Sequence, residues 1–257
     1  MPQRKFSLKP RITAIIQARI QSKRLPAKSL QPLMGKPLLA HVIERAKLIE
    51  NVDTVVLATV RDDENAPLVE LARSLGIEVF RGSPSNVLER YYRAAEEFGG
   101  DFIVRVTGDN PFTDVDYASL TVDYAMEVKP DLCAPINLPL GTAVEVIRRE
   151  ALEEAYNQSH EPYHFEHVTP YIKEHPEFFS IERPPVNFNN PYPQLRLTVD
   201  TPEDYQLARN IYDALYKGKP FSIAEVLEYL TTNPTLMEIN SSIRQRTMRE
   251  SEEGDET

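Results

Sequence analysis

Four cations, Arg19, Lys23, Arg24 and Lys28, fall within ten residues of the stretch "IIQARIQSKRLPAKSL", with Ser22 among them and Pro26 stiffening the turn. The chain around them is acidic, with 29 Lys+Arg against 39 Asp+Glu. Cations and a hydroxyl gathered at a strand-to-helix turn can hold a small, multiply charged anion such as a phosphate chain. A solvated basic loop is the plainer reading of such a cluster, so its position in the fold must decide. The loop is poor in glycine. The first glycine after it is Gly35, and neither G-x-x-x-x-G-K-[ST] nor a glycine-rich dinucleotide turn is present. Side chains must therefore do most of the binding. Two carboxylates complement the loop: Asp109 closes "DFIVRVTGD" and Asp200 closes "LRLTVD", each after an apolar run. Such a pair can hold Mg2+, which prefers hard oxygen ligands and shares them with phosphate. The plainer reading of an aspartate there is a cap or turn, and for Asp200 the helix starting at "TPED" offers one.

Those residues need elements to place them. "ITAIIQA" (12–18) is a nearly continuous apolar run and predicts a strand buried on both faces. Residues 36–49 have helical spacing, 53–60 predict a second strand and 66–76 a helix ending at a glycine. Residues 77–82 predict a third strand, 85–99 a helix with Ser85 or Asn86 at its start, and 101–109 a fourth strand. Further helices are expected at 115–128, 149–158, 163–174, 201–216 and 223–230, and further strands at 141–147 and 195–200. At 201–216 the start is strongly marked, with Thr201 as N-cap, Pro202 behind it, and Glu203 and Asp204 in the first turn. Strands alternating with helices imply right-handed crossovers and a doubly wound, mostly parallel sheet of the α/β class. Such sheets bind ligands at the carboxyl ends of their strands, where the basic loop, residues 81–85 and Asp109 should meet.

Composition narrows the function. The 257 residues suit one large domain, and 41% apolar residues suffice for its core. No apolar run approaches the ~20 residues of a membrane span, and a cytoplasmic location is the expectation. The single Cys133 excludes an intrachain disulfide and a cysteine-based zinc cage, and reads as a buried apolar residue. A net charge of −10 argues against nonspecific nucleic-acid binding. The stretch from Glu250, "ESEEGDET", reads as a disordered polar tail.

The segment "QARIQSKRLPAKSL" resembles the signature ARxxSxRLPxK of cytidylyltransferases that activate acidic sugars, the acylneuraminate and 3-deoxy-manno-octulosonate types. The pattern is most similar to the subgroup of spore coat polysaccharide biosynthesis protein F. "VFRGSPSNVLERYYRAA", "IVRVTGDNP", "EHVTPYI" and "LRLTVDTPEDYQLA" match in the same order, so the similarity runs over roughly residues 11–240. The resemblance implies a nucleotide-diphospho-sugar transferase (glycosyltransferase A-type) fold in one nucleotidyltransferase domain, with a small dimerisation or acceptor region at about 135–190 and a polar tail over 241–257. It implies that CTP is joined to an acidic sugar or related small acceptor with release of pyrophosphate, using Mg2+ and a homodimer. Arg19 and Lys28 match catalytic positions. Ala18, Arg19, Ser22, Arg24, Lys28, Arg81, Ser83 and Asn86 match the nucleotide site. Glu145, Glu166 and His167 match the acceptor side, and Asp109 and Asp200 the metal positions. Many relatives carry glycine where this chain has Gln21 and Ala27, which could alter how the loop approaches phosphate.

Other motifs are discounted. His160, His164 and His167 in "HEPYHFEH" tempt a zinc reading, but Pro162 interrupts the first step of the helix. No G-x-S-x-G elbow supports a hydrolase. Arg90 and Arg105 are expected to pair with carboxylates, and at least one of Tyr91 and Tyr92 to lie in the core. Two other functions stay open: a non-catalytic nucleotide-binding member of the same fold, and a sugar-transferring enzyme, although "TGDNP" offers one aspartate where D-x-D is usual.

Overall fold

The computed structural model describes residues 9–245 and residue 247. The tail read from Glu250 lies outside them. In chain order the elements are β1 (Ile12–Gln17), a hairpin of β2 (Pro32–Leu33) and β3 (Lys36–Pro37), α1 (Leu38–Ala46), β4 (Thr54–Val60), α2 (Ala66–Ser74), β5 (Glu78–Gly82), α3 (Val87–Phe98) and β6 (Phe102–Thr107). There follow α4 (Val115–Val128), β7 (Leu132–Cys133), β8 (Glu145–Arg148), α5 (Arg149–Gln158), α6 (Pro162–His167), α7 (Pro170–Glu174), β9 (Ile181–Glu182), α8 (Pro202–Leu215) and α9 (Ile223–Thr232).

The main sheet has seven strands in the order β5-β4-β1-β6-β8-β7-β9. Strands β5, β4, β1 and β6 are parallel, and β8 runs antiparallel to β6 and β7. The chain leaves β1 toward β4 and β5, then returns to place β6 on the other side of β1. The switch point therefore lies between β1 and β6, and opens at their carboxyl ends. Alternation along each strand feeds two cores. Ile12, Ala14 and Ile16 face α1, α4, α8 and α9, whereas Ile15 faces α3, α5 and α7. The apolar runs of the sequence follow from this two-sided burial.

Helix starts are fixed by polar side chains. The Asn86 side-chain Oδ1 accepts from Glu89 N at 2.7 Å and caps α3. At α8, Thr201 and Asp204 cap each other in a reciprocal box.

Two expectations are corrected. Residues 195–200 form no strand. Leu195, Leu197 and Val199 are buried, but Leu197 N donates to Leu140 O and Val199 N to Asp109 O, both 2.9 Å, within irregular chain. The helix expected over 163–174 is two short ones. Val168 stands between them at φ 72°, ψ −51°, and Thr169 N donates to His167 O at 2.8 Å, a γ-turn strained for a β-branched residue. Thr169 itself keeps helical backbone, φ −100° and ψ −5°, although it precedes Pro170, where that region is disfavoured.

Candidate nucleotide and metal site

The basic loop leaves β1 at the switch point and is pinned at its base. Gly108 N donates to Gln17 O at 2.8 Å, and a Cβ on Gly108 would fall 2.6 Å from that oxygen, so only glycine lets the two strand ends meet. Buried Ala18 donates to Ala58 O, and Ile20 N donates to Asn65 Oδ1 at 2.9 Å. Ser22 Oγ accepts from Leu25 N at 3.4 Å, closing a local turn. Ala27 takes the left-handed conformation, φ 50° and ψ 34°, and swings Lys28 inward at the head of a short 3-10 turn.

Lys28 Nζ then donates to Asp109 Oδ2 and to Asp200 Oδ1, both at 2.8 Å. Asp200 is held from the other side by Arg196, Nη2 to Oδ2 at 2.6 Å, and Arg24 reaches its Oδ1 at 3.4 Å. Arg196 also donates from Nε to Asp204 Oδ1 at 3.0 Å. Burial pushes the Lys28 ammonium down, but Asp109 and Asp200 outweigh it and hold the group above its ordinary 10.5. Burial pushes Asp200 up, but Lys28, Arg24 and Arg196 outweigh it and hold the carboxyl below its ordinary 3.8.

The donor set fits a divalent cation. Two carboxylates converge on one point, which an ammonium takes in the free protein. Among the described residues no group of three His, Cys, Asp or Glu could hold a metal. The remaining ligands of an ion here would be phosphate oxygens and water, the usual arrangement for Mg2+ on a nucleotide. Buried polar atoms without partners mark the same edge: Gln17 Oε1 ahead of the loop and Asn110 Oδ1 after Asp109.

The structure thus brings Arg24, Lys28, Asp109 and Asp200 together, with exposed Arg19 at the mouth of the loop. Arg81 stands across β4, donating from Nη2 to Asp62 O, while its own carbonyl accepts from Arg61. Ser83 accepts from Asn86 N at 3.2 Å, so Ser83 and Asn86 order the start of α3. A cleft of ≈ 790 Å³ lies outside this loop, lined in part by Arg61, Phe80, Gly82 and Ser83, and does not reach the aspartate pair.

Glu145 lies elsewhere, on the sheet face covered by α3. It pairs with Arg105 at 3.1 Å, accepts from Thr169 Oγ1 at 2.9 Å and meets Lys173 at 2.5 Å. Burial pushes Glu145 up, and Arg105 and Lys173 outweigh it and hold it below 4.5. Half-buried Glu166 and His167 end α6 beside the strained turn. His164 pairs with Glu174 at 3.0 Å rather than with the other histidines. Cys133 is buried, and that burial pushes its thiol up to about 12. Tyr91 is wholly buried, with its hydroxyl donating to Ile15 O and Val106 O at 3.0 Å.

Sequence reasoning missed Arg196. The signal was available, because in "LRLTVD" the apolar residues alternate with Arg196, Thr198 and Asp200, which puts these three on one side. Arg105 meets its expected carboxylate, Glu145, whereas Arg90 is in no ion pair among the described residues and donates to Ser83 O.

The sequence matches the family described as Cytidylyltransferase over residues 13–233. The spore coat polysaccharide biosynthesis protein SpsF of Bacillus subtilis (strain 168) is 34% identical over 231 residues, covering 87% of this chain and 95% of that one. Among solved structures, a cytidylyltransferase from Leptospira borgpetersenii serovar Hardjo-bovis superposes with a TM-score of 0.83 at 28% identity, over 93% of this chain and 99% of that one. A CMP:2-keto-3-deoxy-manno-octonic acid synthetase complexed with CTP shares the fold, with a TM-score of 0.60 at 17% identity over 79% and 98% of the two chains.

Proposed function

The chain belongs to the cytidylyltransferase family and is a CTP-dependent nucleotidyltransferase, and we propose that its acceptor is an acidic sugar or related small molecule activated for surface polysaccharide or glycoconjugate synthesis. The observation that carries this reading is the convergence of Lys28 on Asp109 and Asp200 at the switch point of the sheet. An acceptor hydroxyl attacks the α-phosphorus and loses its proton to solvent, the new O–P bond forms as the bond to the bridging oxygen breaks, and pyrophosphate leaves. Little covalent chemistry falls to the protein, which supplies position and charge.

Arg19, Ser22, Arg24 and the Ala18 backbone hold the triphosphate, and Arg81, Ser83 and Asn86 border the nucleoside. Asp109 and Asp200 would hold Mg2+, which would neutralise phosphate charge. In the free protein Lys28 bridges the two carboxylates and holds them facing, and it is placed to turn its ammonium to the leaving phosphates. Arg19 supplies the second cation for the charge that grows there. Glu145, Glu166 and His167 border the acceptor. The domain spans 11–240 and works as a cytoplasmic homodimer through the region at about 135–190. Exposed Ile136, Leu140 and Phe178 support that contact, and no helix among the described residues is long and apolar enough to cross a membrane. A monomer in sedimentation equilibrium at micromolar concentration would count against the dimer.

The test is pyrophosphate release with each of four nucleoside triphosphates against a panel of acidic sugars and phosphorylated or phosphonate acceptors. Release with CTP and an acidic sugar is expected. Release with only neutral or phosphorylated acceptors would overturn the acidic-sugar reading.

A further inference from the structure

Arg90 is the fourth residue of α3 and is 2% exposed, yet no ion pair among the described residues includes it. Its Nη1 donates to Ser83 O at 2.6 Å, and its Nε is buried with no acceptor. The cations around it differ. Lys28 has two carboxylates, Arg24 has Asp200, Arg196 has Asp200 and Asp204, and Arg105 and Lys173 share Glu145. Exposed Arg19, also in no ion pair among the described residues, is the charge that acts most on Arg90, and it is another cation; Tyr91 and Glu89 oppose it less. Burial first, and Arg19 second, push the Arg90 guanidinium down to about 10. A charge left uncompensated in the interior is costly unless a ligand completes it.

The fold holds Arg90 at the carboxyl end of β5, under the 82–86 loop. The next residue, Tyr91, hangs its hydroxyl on Ile15 O and Val106 O, which seats the first turn of α3 over β1 and β6. A Cβ on Gly82 would fall 2.9 Å from Arg90 Cγ and 2.7 Å from Phe80 Cε1, so the bare glycine leaves room for the arginine stem under the 82–86 loop. Through Ser83 the same guanidinium orders the loop assigned above to the nucleoside side.

We propose that Arg90, together with Arg19, forms an anion subsite for the phosphate nearest the nucleoside, making Arg90 a nucleotide-binding residue in addition to those of the basic loop. The proposal rests on the cytidylyl-transfer reading of this crevice. Lys28 is engaged by the aspartates in the free protein, and the Arg19–Arg90 pair is the charge left over for an incoming phosphate. Planar guanidinium groups suit phosphate oxygens, giving charge-assisted bonds that a lysine cannot match in geometry.

The test compares cytidine with CMP, which differ by that one phosphate, by calorimetry on the wild-type chain and on Arg90→Gln. Glutamine keeps a donor for Ser83 O and removes the charge. CMP affinity is expected to fall about tenfold or more, the usual scale of a lost bond to a charged group, with cytidine affinity unchanged. Unchanged CMP affinity overturns the proposal. So does a parallel fall for cytidine, which would mean that Arg90 only props the loop. Arg90→Met, which fills the space without a charge, is read by the same ratio where the glutamine variant gives no cooperative melt. A wild-type chain that binds neither ligand sinks the reading of the crevice itself, whereas wild-type binding with an unaltered ratio in the variants sinks Arg90 alone.

Discussion

Lys28 Nζ donates to Asp200 Oδ1 at 2.8 Å, joining residues 172 positions apart in the chain. The same nitrogen lies 2.8 Å from Asp109 Oδ2. An ammonium thus stands between the two carboxylates that were read as metal ligands, while Lys28 itself was read as a phosphate ligand. Both readings hold only if the lysine gives up its place when nucleotide and metal arrive. Until then it is the counterion that bridges the two neighbouring carboxylates.

Lys28→Ala should therefore act on the free protein as well as on turnover. Removing one partner of a largely buried ion-pair network strands the others, at a cost of about 3 kcal/mol. Arg24 and Arg196 soften the loss at Asp200. Millimolar Mg2+ or Mn2+ without nucleotide should raise the melting temperature of the variant and leave that of the wild type nearly unmoved. Equal shifts in the two proteins would show that lysine and metal do not compete. Turnover should fall about 10²-fold or more, the scale of a lost charge-stabilising donor.

Ala27→Gly tests the loop. Ala27 sits at φ 50°, where an L-residue pays about 1–2 kcal/mol that glycine does not. Glycine returns about 0.4–1 kcal/mol through the freer unfolded chain. A net stabilisation of about 0.5–1 kcal/mol in urea unfolding is the expected outcome. The other departure carries no such strain, because Gln21 does not take a positive φ and its side chain donates to Glu64 at 2.8 Å. Gln21→Gly should therefore be neutral or destabilising.

The pH dependence of stability follows from the directions above. Asp200 and Glu145 both titrate below their ordinary values of 3.8 and 4.5. The folded state thus binds protons less readily there, so their contribution is fully present above those values and is lost as the pH falls through the depressed folded ones. Lys28 is raised above 10.5, so its contribution is complete below that value and is lost as the pH rises through the folded one. Between the two limbs these three groups add no slope. Glu145→Gln should flatten the acid limb in urea unfolding measured from pH 3 to pH 7, and an unaltered limb would remove Glu145 as a cause.

The sheet was legible because β1, β4 and β6 are buried on both faces and read as unbroken apolar runs. The aspartate pair was legible because each residue closes a stretch of buried apolar residues. Residues 195–200 misled for the same reason. Leu195, Leu197 and Val199 alternate as a strand does, but alternation reports which side is buried and not what the backbone bonds to. That Lys28 would bridge both aspartates was not legible, since the left-handed step at Ala27 turns it inward and nothing in its spacing says so. Arg90 was misread because burial without a carboxylate is a property of the packing around α3.

Asp200→Asn separates the metal reading from the plainer one. A cap role for Asp200 would make asparagine, itself a good cap, nearly silent. The helix that follows is already capped without it: Asp204 N donates to Thr201 Oγ1 at 3.3 Å, and Thr201 N donates to Asp204 Oδ2 at 3.1 Å. What Asp200 does hold is Lys28, Arg24 and Arg196. Asparagine keeps the shape and removes the charge that balances them, so the fold should survive with a lowered melting temperature. Mn2+ affinity in the presence of CTP, read by electron paramagnetic resonance, should fall tenfold or more, because one of two protein carboxylates is gone and the phosphates cannot replace it. Turnover should fall by about 10²–10³, the range seen when a group that stabilises transition-state charge is removed. Asp109→Asn should show the same pair of losses without the effect on Arg196, which does not touch Asp109 in an ion pair. If Asp200→Asn kept wild-type Mn2+ affinity and turnover and lost only stability, Asp200 would be a member of the ion-pair network alone, and the lysine between the two carboxylates its permanent partner.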